Sequence, residues 1–400
     1  MKSLTHKAKN DHQAFNAPVA VVSPEEAYQR SIELLSDGRQ IEAEKIIADA
    51  VKNNLDNANL LFAKAVLERS RWSNDASKLW FGIARRKGAR TYIADAVSLQ
   101  MRLDSRKAAS SDLVDLIQLS DVHPDDVYLL WLSAIECREQ KNGVLGRERY
   151  EKLLTKFRVG PVLLHQTYAN ILEDYLKDYE TALKHRYIAV SMEAKGWSLE
   201  GLACTLTRLE RYQEACAIWA CAVKFAPKDS GIWGNWGWTL RLMDRYEEAL
   251  EKHREACRLN PSSAYNFYSA GWCLRKLGRQ DDAGVYYRKA LEVEPDNATA
   301  LNDYAWFLET CEDESFRNYP EALRLAEMSV AKDEQTFNLD TLALAYEKTG
   351  QYAKAADAQK RRIALLKKKS PDKEIPAKML SRLEKYEKLA AEQAAKAQEQ

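Results

Sequence analysis

Glycine and proline are scarce in this chain, with 15 and 10 residues among 400. Ala, Leu, Glu, Lys and Arg dominate instead, so most of the chain is expected to be helical and strand should contribute little. No apolar run approaches the ~18 residues that span a bilayer. The opening MKSLTHKAKNDHQAFNAPVAVVSP has a basic start but lacks a hydrophobic core of signal-peptide length. A cytoplasmic chain without a membrane segment is the expectation. Charge of either sign is not in excess, since 60 basic residues face 59 acidic ones. No whole-chain field draws the protein to nucleic acid or anionic lipid, and the balance favours protein partners.

The motifs of chemistry are missing too. Seven cysteines, at 137, 204, 216, 221, 257, 273 and 311, form an odd set with no C-x-x-C pair, which implies a reducing compartment. The six histidines keep no metal-ligand spacing from cysteines or carboxylates. His253 and Cys257 in HREAC come nearest, and a packed core histidine is the better reading there. There is no Gly-rich phosphate loop, G-x-S-x-G elbow or H-E-x-x-H. Neither a catalytic constellation nor a cofactor or metal site is expected. KNGVLGRER at 141–149 reads as a turn between helices, and QKRRIALLKKK at 359–369 as a solvated face.

What the sequence does contain is a repeat. GW at 237–238 recurs at 271–272 and as AW at 305–306, each step being 34 residues, and NPSS and EPDN at 260 and 294 keep the same step. Three blocks run ungapped over 196–229, 230–263 and 264–297. The middle block reads Trp233, Trp236, Gly237, Leu240, Ala249, His253, Ala256 and Pro261, and the next reads Phe267, Ala270, Gly271, Leu274, Ala283, Tyr287, Ala290 and Pro295. The i, i+3, i+4, i+7 spacing puts the first four on one helical face, and the second set does the same for a second helix. Each block is therefore a helical hairpin. Small residues let its helices approach closely, and the proline ends the unit. A lone hairpin cannot bury its face, so neighbours must stack.

This pattern closely resembles the tetratricopeptide repeat, W-x2-L-G-x2-Y, then A-x3-F, then P, at a period of 34. The resemblance implies an all-α right-handed solenoid, a superhelix of stacked antiparallel helix pairs. Residues 1–23 read as a disordered polar arm, 24–195 as degenerate repeats, and 196–297 as three well-matched ones. Two further repeats follow over 298–370, the first with an insertion between its helices, and 371–400 read as a polar capping helix. About ten hairpins are expected over 24–370. The pair from 298 onward resembles repeats common in bacterial multi-repeat proteins. The insertion CEDESFRNY at 311–319 is expected to be an exposed loop whose loss is harmless.

At about 100° per residue, Trp233, Trp236, Gly237 and Leu240 cluster on one side of their helix, making Trp236 core, while Trp238 falls about 150° away beside Arg241. By resemblance that second face lines the concave groove. Trp272 and Trp306 continue the position, with Trp197, Tyr265, Tyr268 and Arg275 around it. The ladder can be packing between repeats, or it can be a surface for an extended or helical peptide bearing apolar and acidic residues. The Lys/Asn clamp by which some family members hold a carboxyl terminus is replaced here by Gly234, Trp238, Ser269, Thr299 and Asp303. The expected function is a non-catalytic scaffold or adaptor for a protein or peptide. Its rivals are an accessory subunit of an enzyme complex and an RNA-binding repeat protein. The last would need a basic inner stripe, yet Glu200, Asp303 and Glu309 oppose Arg208, Arg241, Arg275 and Lys276.

Overall fold

The computed structural model describes residues 23–71, 73–87, 91–103, 110–371 and 374–398. The expected arm over 1–23 lies outside the described residues except for Ser23. Helices follow one another in ten consecutive pairs, and no strand occurs among the described residues. The fold is an all-α solenoid. The chain divides into two compact units, 1–194 and 195–400.

The first unit holds α1 (Pro24–Ser36), α2 (Gln40–Asn53), α3 (Ala58–Ser70), α4 (Asn74–Arg86) and α5 (Thr91–Leu103). It continues with α6 (Ser110–Val122), α7 (Val127–Glu139), α8 (Gly143–Thr155), α9 (Val162–Ile171) and α10 (Tyr179–Met192). Its distinguishing feature is α7, in which every residue from Val127 to Arg138 is buried. A helix apolar all round must be covered all round. α3 supplies part of that cover, with Leu60, Leu61, Phe62 and Ala63 consecutively buried. Between the two helices Arg69 and Glu136 form a buried ion pair at 2.8 Å. Ser31 of α1 and Tyr128 of α7 share a buried hydroxyl hydrogen bond of 2.7 Å. The turn after α8 docks on the end of α1, where the Val159 amide donates to the Ser36 carbonyl at 2.8 Å. The helices of this unit thus bury the faces of α3 and α7 against one another.

The second unit holds α11 (Gly196–Arg208), α12 (Tyr212–Phe225), α13 (Ser230–Leu242), α14 (Tyr246–Leu259), α15 (Ala264–Lys276) and α16 (Gln280–Val293). After these come α17 (Ala298–Thr310), α18 (Tyr319–Lys332), α19 (Thr336–Lys348), α20 (Tyr352–Lys369) and α21 (Ala377–Gln398). The 34-residue period reappears in the backbone. Glu210, Asp244 and Gly278 stand one period apart, and each takes a left-handed φ of 57° to 72° that turns the first helix into the second. Ala215, Ala249 and Ala283, and two turns further along the helix Ala222, Ala256 and Ala290, are all fully buried at the helix crossings. Trp219 is also buried and donates its Nε1–H to the Thr239 hydroxyl at 2.9 Å. α21 packs on α20: Tyr386 is buried in the core, and Arg382 pairs with Asp340 at 2.6 Å.

The structure departs from two expectations. Trp236 is only half-buried, stacked on Trp233 at 5.8 Å with the Lys252 ammonium 4.5 Å above it. Ile232, fully buried, takes the deep position, and the His253 ring lies over Gly237 so closely that a Cβ there would sit 2.8 Å from it. The insertion is not a bare loop either. Residues 312–315 are exposed, but Glu314–Phe316 form a 3-10 turn that sets the Phe316 ring 6.3 Å from Phe307. Arg317 Nε donates to the Cys311 carbonyl at 2.8 Å, and Asn318 caps α18. An apolar side chain within the inserted segment anchors it to the core.

Candidate functional site

Helices α13, α15 and α17 each keep a stripe that no neighbouring helix covers completely. Trp238 on α13 is 41% exposed. One turn further, the Arg241 guanidinium lies between two indoles, 4.9 Å from the Trp238 ring and 4.0 Å from that of Trp272 on α15. The next cations, Arg275 and Lys276, stand 5.8 and 5.3 Å from Trp272. The order Trp, Arg, Trp, Arg follows from the repeat, which sets an arginine three residues after Trp238 and after Trp272, and Arg241 reaches the tryptophan one period on. A guanidinium held flat between rings gains cation–π attraction and loses little when its edge meets a ligand. Among the described residues no carboxylate lies within ion-pair distance of Arg241 or Arg275, and the Nε of each is buried without a partner.

Tyr265 and Tyr268 extend the surface at 5.5 Å from each other in an edge-to-face contact. Tyr265 also meets the His253 ring edge-on at 6.2 Å and covers Gly234, where a Cβ would stand 3.4 Å from its ring. Burial, reinforced by the nearby Arg241, holds His253 neutral by lowering it to about 3. This is a packing histidine in the aromatic position of its repeat. Trp306, on α17, is half-buried, and among the described residues no cation or aromatic ring joins it to the stack. Trp197, 44% exposed on α11, also stands apart from it. The structure therefore brings together Trp238, Arg241, Trp272 and Arg275, with Tyr265 and Tyr268 adjoining, and leaves Trp306 and Trp197 outside.

The acidic residues that oppose these arginines in sequence are muted. Burial raises Asp303 to about 6, against the pull of Arg241 and Arg275. Glu309 is 3% exposed, with neither carboxylate oxygen hydrogen-bonded, and burial pushes it up to about 9. At neutral pH the Glu309 carboxyl, set among Arg382, Asp340 and Lys348, keeps its proton, whereas Asp303 beside Arg241 and Arg275 is largely ionised. Neutralisation of Glu309 has no signature in the sequence, where it reads as one acid among 59. Among the described residues no group of three His, Cys, Asp or Glu could hold a metal ion, and no helix is long and apolar enough to cross a membrane.

The family model of the tetratricopeptide repeat matches residues 264–297, which are α15 and α16 with the turn that follows. These residues match one tetratricopeptide repeat, and the fold around them is that of a tetratricopeptide array. No curated protein matches its sequence. Among solved structures, a tetratricopeptide repeat protein from Parabacteroides merdae is 13% identical over 66% of this chain and 99% of its own, with a TM-score of 0.53. The likeness is one of fold. YrrB, a tetratricopeptide protein with an unusual peptide-binding site, is 19% identical over 46% of this chain and 95% of its own, at a TM-score of 0.39. PilF of Pseudomonas aeruginosa is 17% identical over 56% and 96%, at 0.44.

Proposed function

We infer that this tetratricopeptide protein is a non-catalytic scaffold of the bacterial cytoplasm whose second unit takes a peptide segment of a partner protein along α13 and α15. The observation that carries the reading is the Arg241 guanidinium between Trp238 and Trp272, half-buried and, among the described residues, without an ion pair. Tryptophan and arginine are the preferred anchors of protein interfaces because they combine large area with few rotors. The surface suits a segment with an apolar or aromatic residue to lie on the indoles and an acidic residue to meet the guanidinium edges. The first unit is the poorer candidate, because α7 fills the space that its inner faces would offer.

The test has two steps. Partners captured from the source organism are identified by mass spectrometry, and the captured segment is then titrated against the purified chain. Replacing Trp238 and Trp272 together by Ala should weaken that segment at least about tenfold while the helical circular-dichroism signal persists. Arg241→Glu with Arg275→Glu should weaken an acidic segment and spare a purely apolar one. Unchanged binding after all four replacements would make the stack a packing device between repeats.

A further inference from the structure

A second concavity lies away from the tryptophan stack, where the 311–319 insertion folds back over α16 and α17. It is a cavity of about 400 Å³ with Gly284, Phe307, Leu308 and Phe316 at its apolar base and Arg288 and Asp281 at its rim. Two changes to the repeat create it. The position held by Gly284 is Cys216, Leu250 and Leu323 in the repeats before and after, so this repeat alone of the four leaves it without a side chain. A Cβ on Gly284 would meet Phe307 and the Arg288 Nη1 at an unstrained 3.6 Å, so nothing in the packing demands glycine there. The insertion then adds Phe316 as a wall on the far side. Glycine inside a helix costs about 1 kcal/mol relative to alanine. A helix that keeps one where the packing does not require it, beside a cavity, invites a functional explanation.

The rim carries the second indication. Arg288 forms no ion pair with any described carboxylate, and its one side-chain hydrogen bond among the described residues is a long 3.5 Å contact from Nη1 to the Tyr304 hydroxyl. Neighbouring arginines are occupied: Arg317 pairs with Glu314 and Arg279 with Asp282. Val285, 40% exposed on the same side of α16, widens the apolar mouth. The volume falls in the range of about 300 to 1,000 Å³ typical of ligand pockets. The half-buried Phe316 and the exposed Val285 beside an unpaired guanidinium complement a ring that carries a carboxylate close by.

We propose that this cavity is a docking site for a linear segment of a partner protein that presents an aromatic side chain next to an acidic residue, the ring lodged between Val285 and Phe316 over Gly284 and the carboxylate on Arg288. The site is separate from the tryptophan stack and stands whether or not that surface binds anything.

The test uses the full chain and small probes read by saturation-transfer NMR: phenylpropionate, the uncharged phenylpropanol and the oppositely charged benzylamine. Phenylpropionate should receive saturation from the wild-type protein. The signal should vanish in Gly284→Leu, which fills the space with the residue the neighbouring repeats carry. In Arg288→Gln, a surface change that leaves the fold intact, affinity should fall about tenfold to the level of phenylpropanol. A fluorescein-labelled peptide Ser-Asp-Phe-Asp-Ser should displace phenylpropionate, and its Phe-to-Ala analogue should not. Equal binding to Gly284→Leu, or benzylamine matching phenylpropionate, overturns the site. Loss of the signal in the Trp238→Ala, Trp272→Ala double variant does the same, by locating the probe on the stack. Binding of phenylpropionate without displacement by the peptide overturns the partner segment in favour of a free aromatic acid. A dimer in sedimentation that Gly284→Leu dissociates overturns it in favour of a second copy of the chain.

Discussion

Glu309 offers a quantitative test of how this surface is charged. Its carboxyl is 3% exposed, neither oxygen has a hydrogen-bond partner, and Arg382 and Lys348 offset only part of the cost of burial. The folded state titrates at about 9, against 4.5 for the exposed group. Between those values the unfolded chain has released the proton and the folded chain still holds it, so the folded state binds one more proton. Stability then falls as pH rises, by about 1.36 kcal/mol per unit from this group alone. Glu309→Gln keeps the shape and removes the titration. Over the three units from about pH 5.5 to about pH 8.5, the wild type should lose ~4 kcal/mol relative to the variant, all other groups cancelling in the difference. Urea unfolding of both proteins at stepped pH measures this, and amide exchange of α17 gives a local reading in case the repeats unfold piecewise. The penalty below about pH 4.5 should vanish, because both states are then protonated. Parallel stability profiles for the two proteins would refute the reasoning, since the carboxyl would then be ionised in the fold and solvated or paired.

Three further outcomes can be measured by thermal or urea unfolding. Glu210→Gly should stabilise the chain by about 1 kcal/mol, because a non-glycine residue at φ 59° carries left-handed strain that Gly278 avoids one period pair later. Gly237→Ala should destabilise, since its Cβ would stand 2.8 Å from the fully buried His253 ring and overpacking of about 1 to 3 kcal/mol outweighs the gain in helix propensity, whereas Gly271→Ala, 3.2 Å from Tyr287, should cost less. Deleting 312–316 should cost about 1 to 2 kcal/mol through loss of the Phe316 contact with Phe307, and no change in melting temperature would return the insertion to a free loop.

The hairpins were legible in the sequence because the same demand recurs every 34 residues: an alanine at each helix crossing and a residue able to turn left-handed between helices. Such positions depend on neighbours within one unit of the repeat, which a single chain displays several times. The closed inner face of the first unit was not legible that way. It rests on pairs far apart in sequence, Arg69 with Glu136 and Ser31 with Tyr128, and no local period announces them. One signal was present, since VYLLWLSAIEC at 127–137 has no polar face and a helix of that kind has to be enclosed. In the second unit the side of the helix that carries Trp238 and Arg241 followed from rotation about the axis, but the depth of Trp236 did not. Depth is decided by which large group reaches the middle first, and there His253 from α14 lies over Gly237 while Ile232 fills beneath. The same competition accounts for the stack. Spacing brings Arg241 within reach of Trp272, and the guanidinium lies against that ring although Asp303 is near enough to feel its charge, a carboxyl that burial makes hold its proton more tightly than an exposed acid does. Charge read from a sequence counts carboxyls as anions, and on this surface burial decides how many of them are.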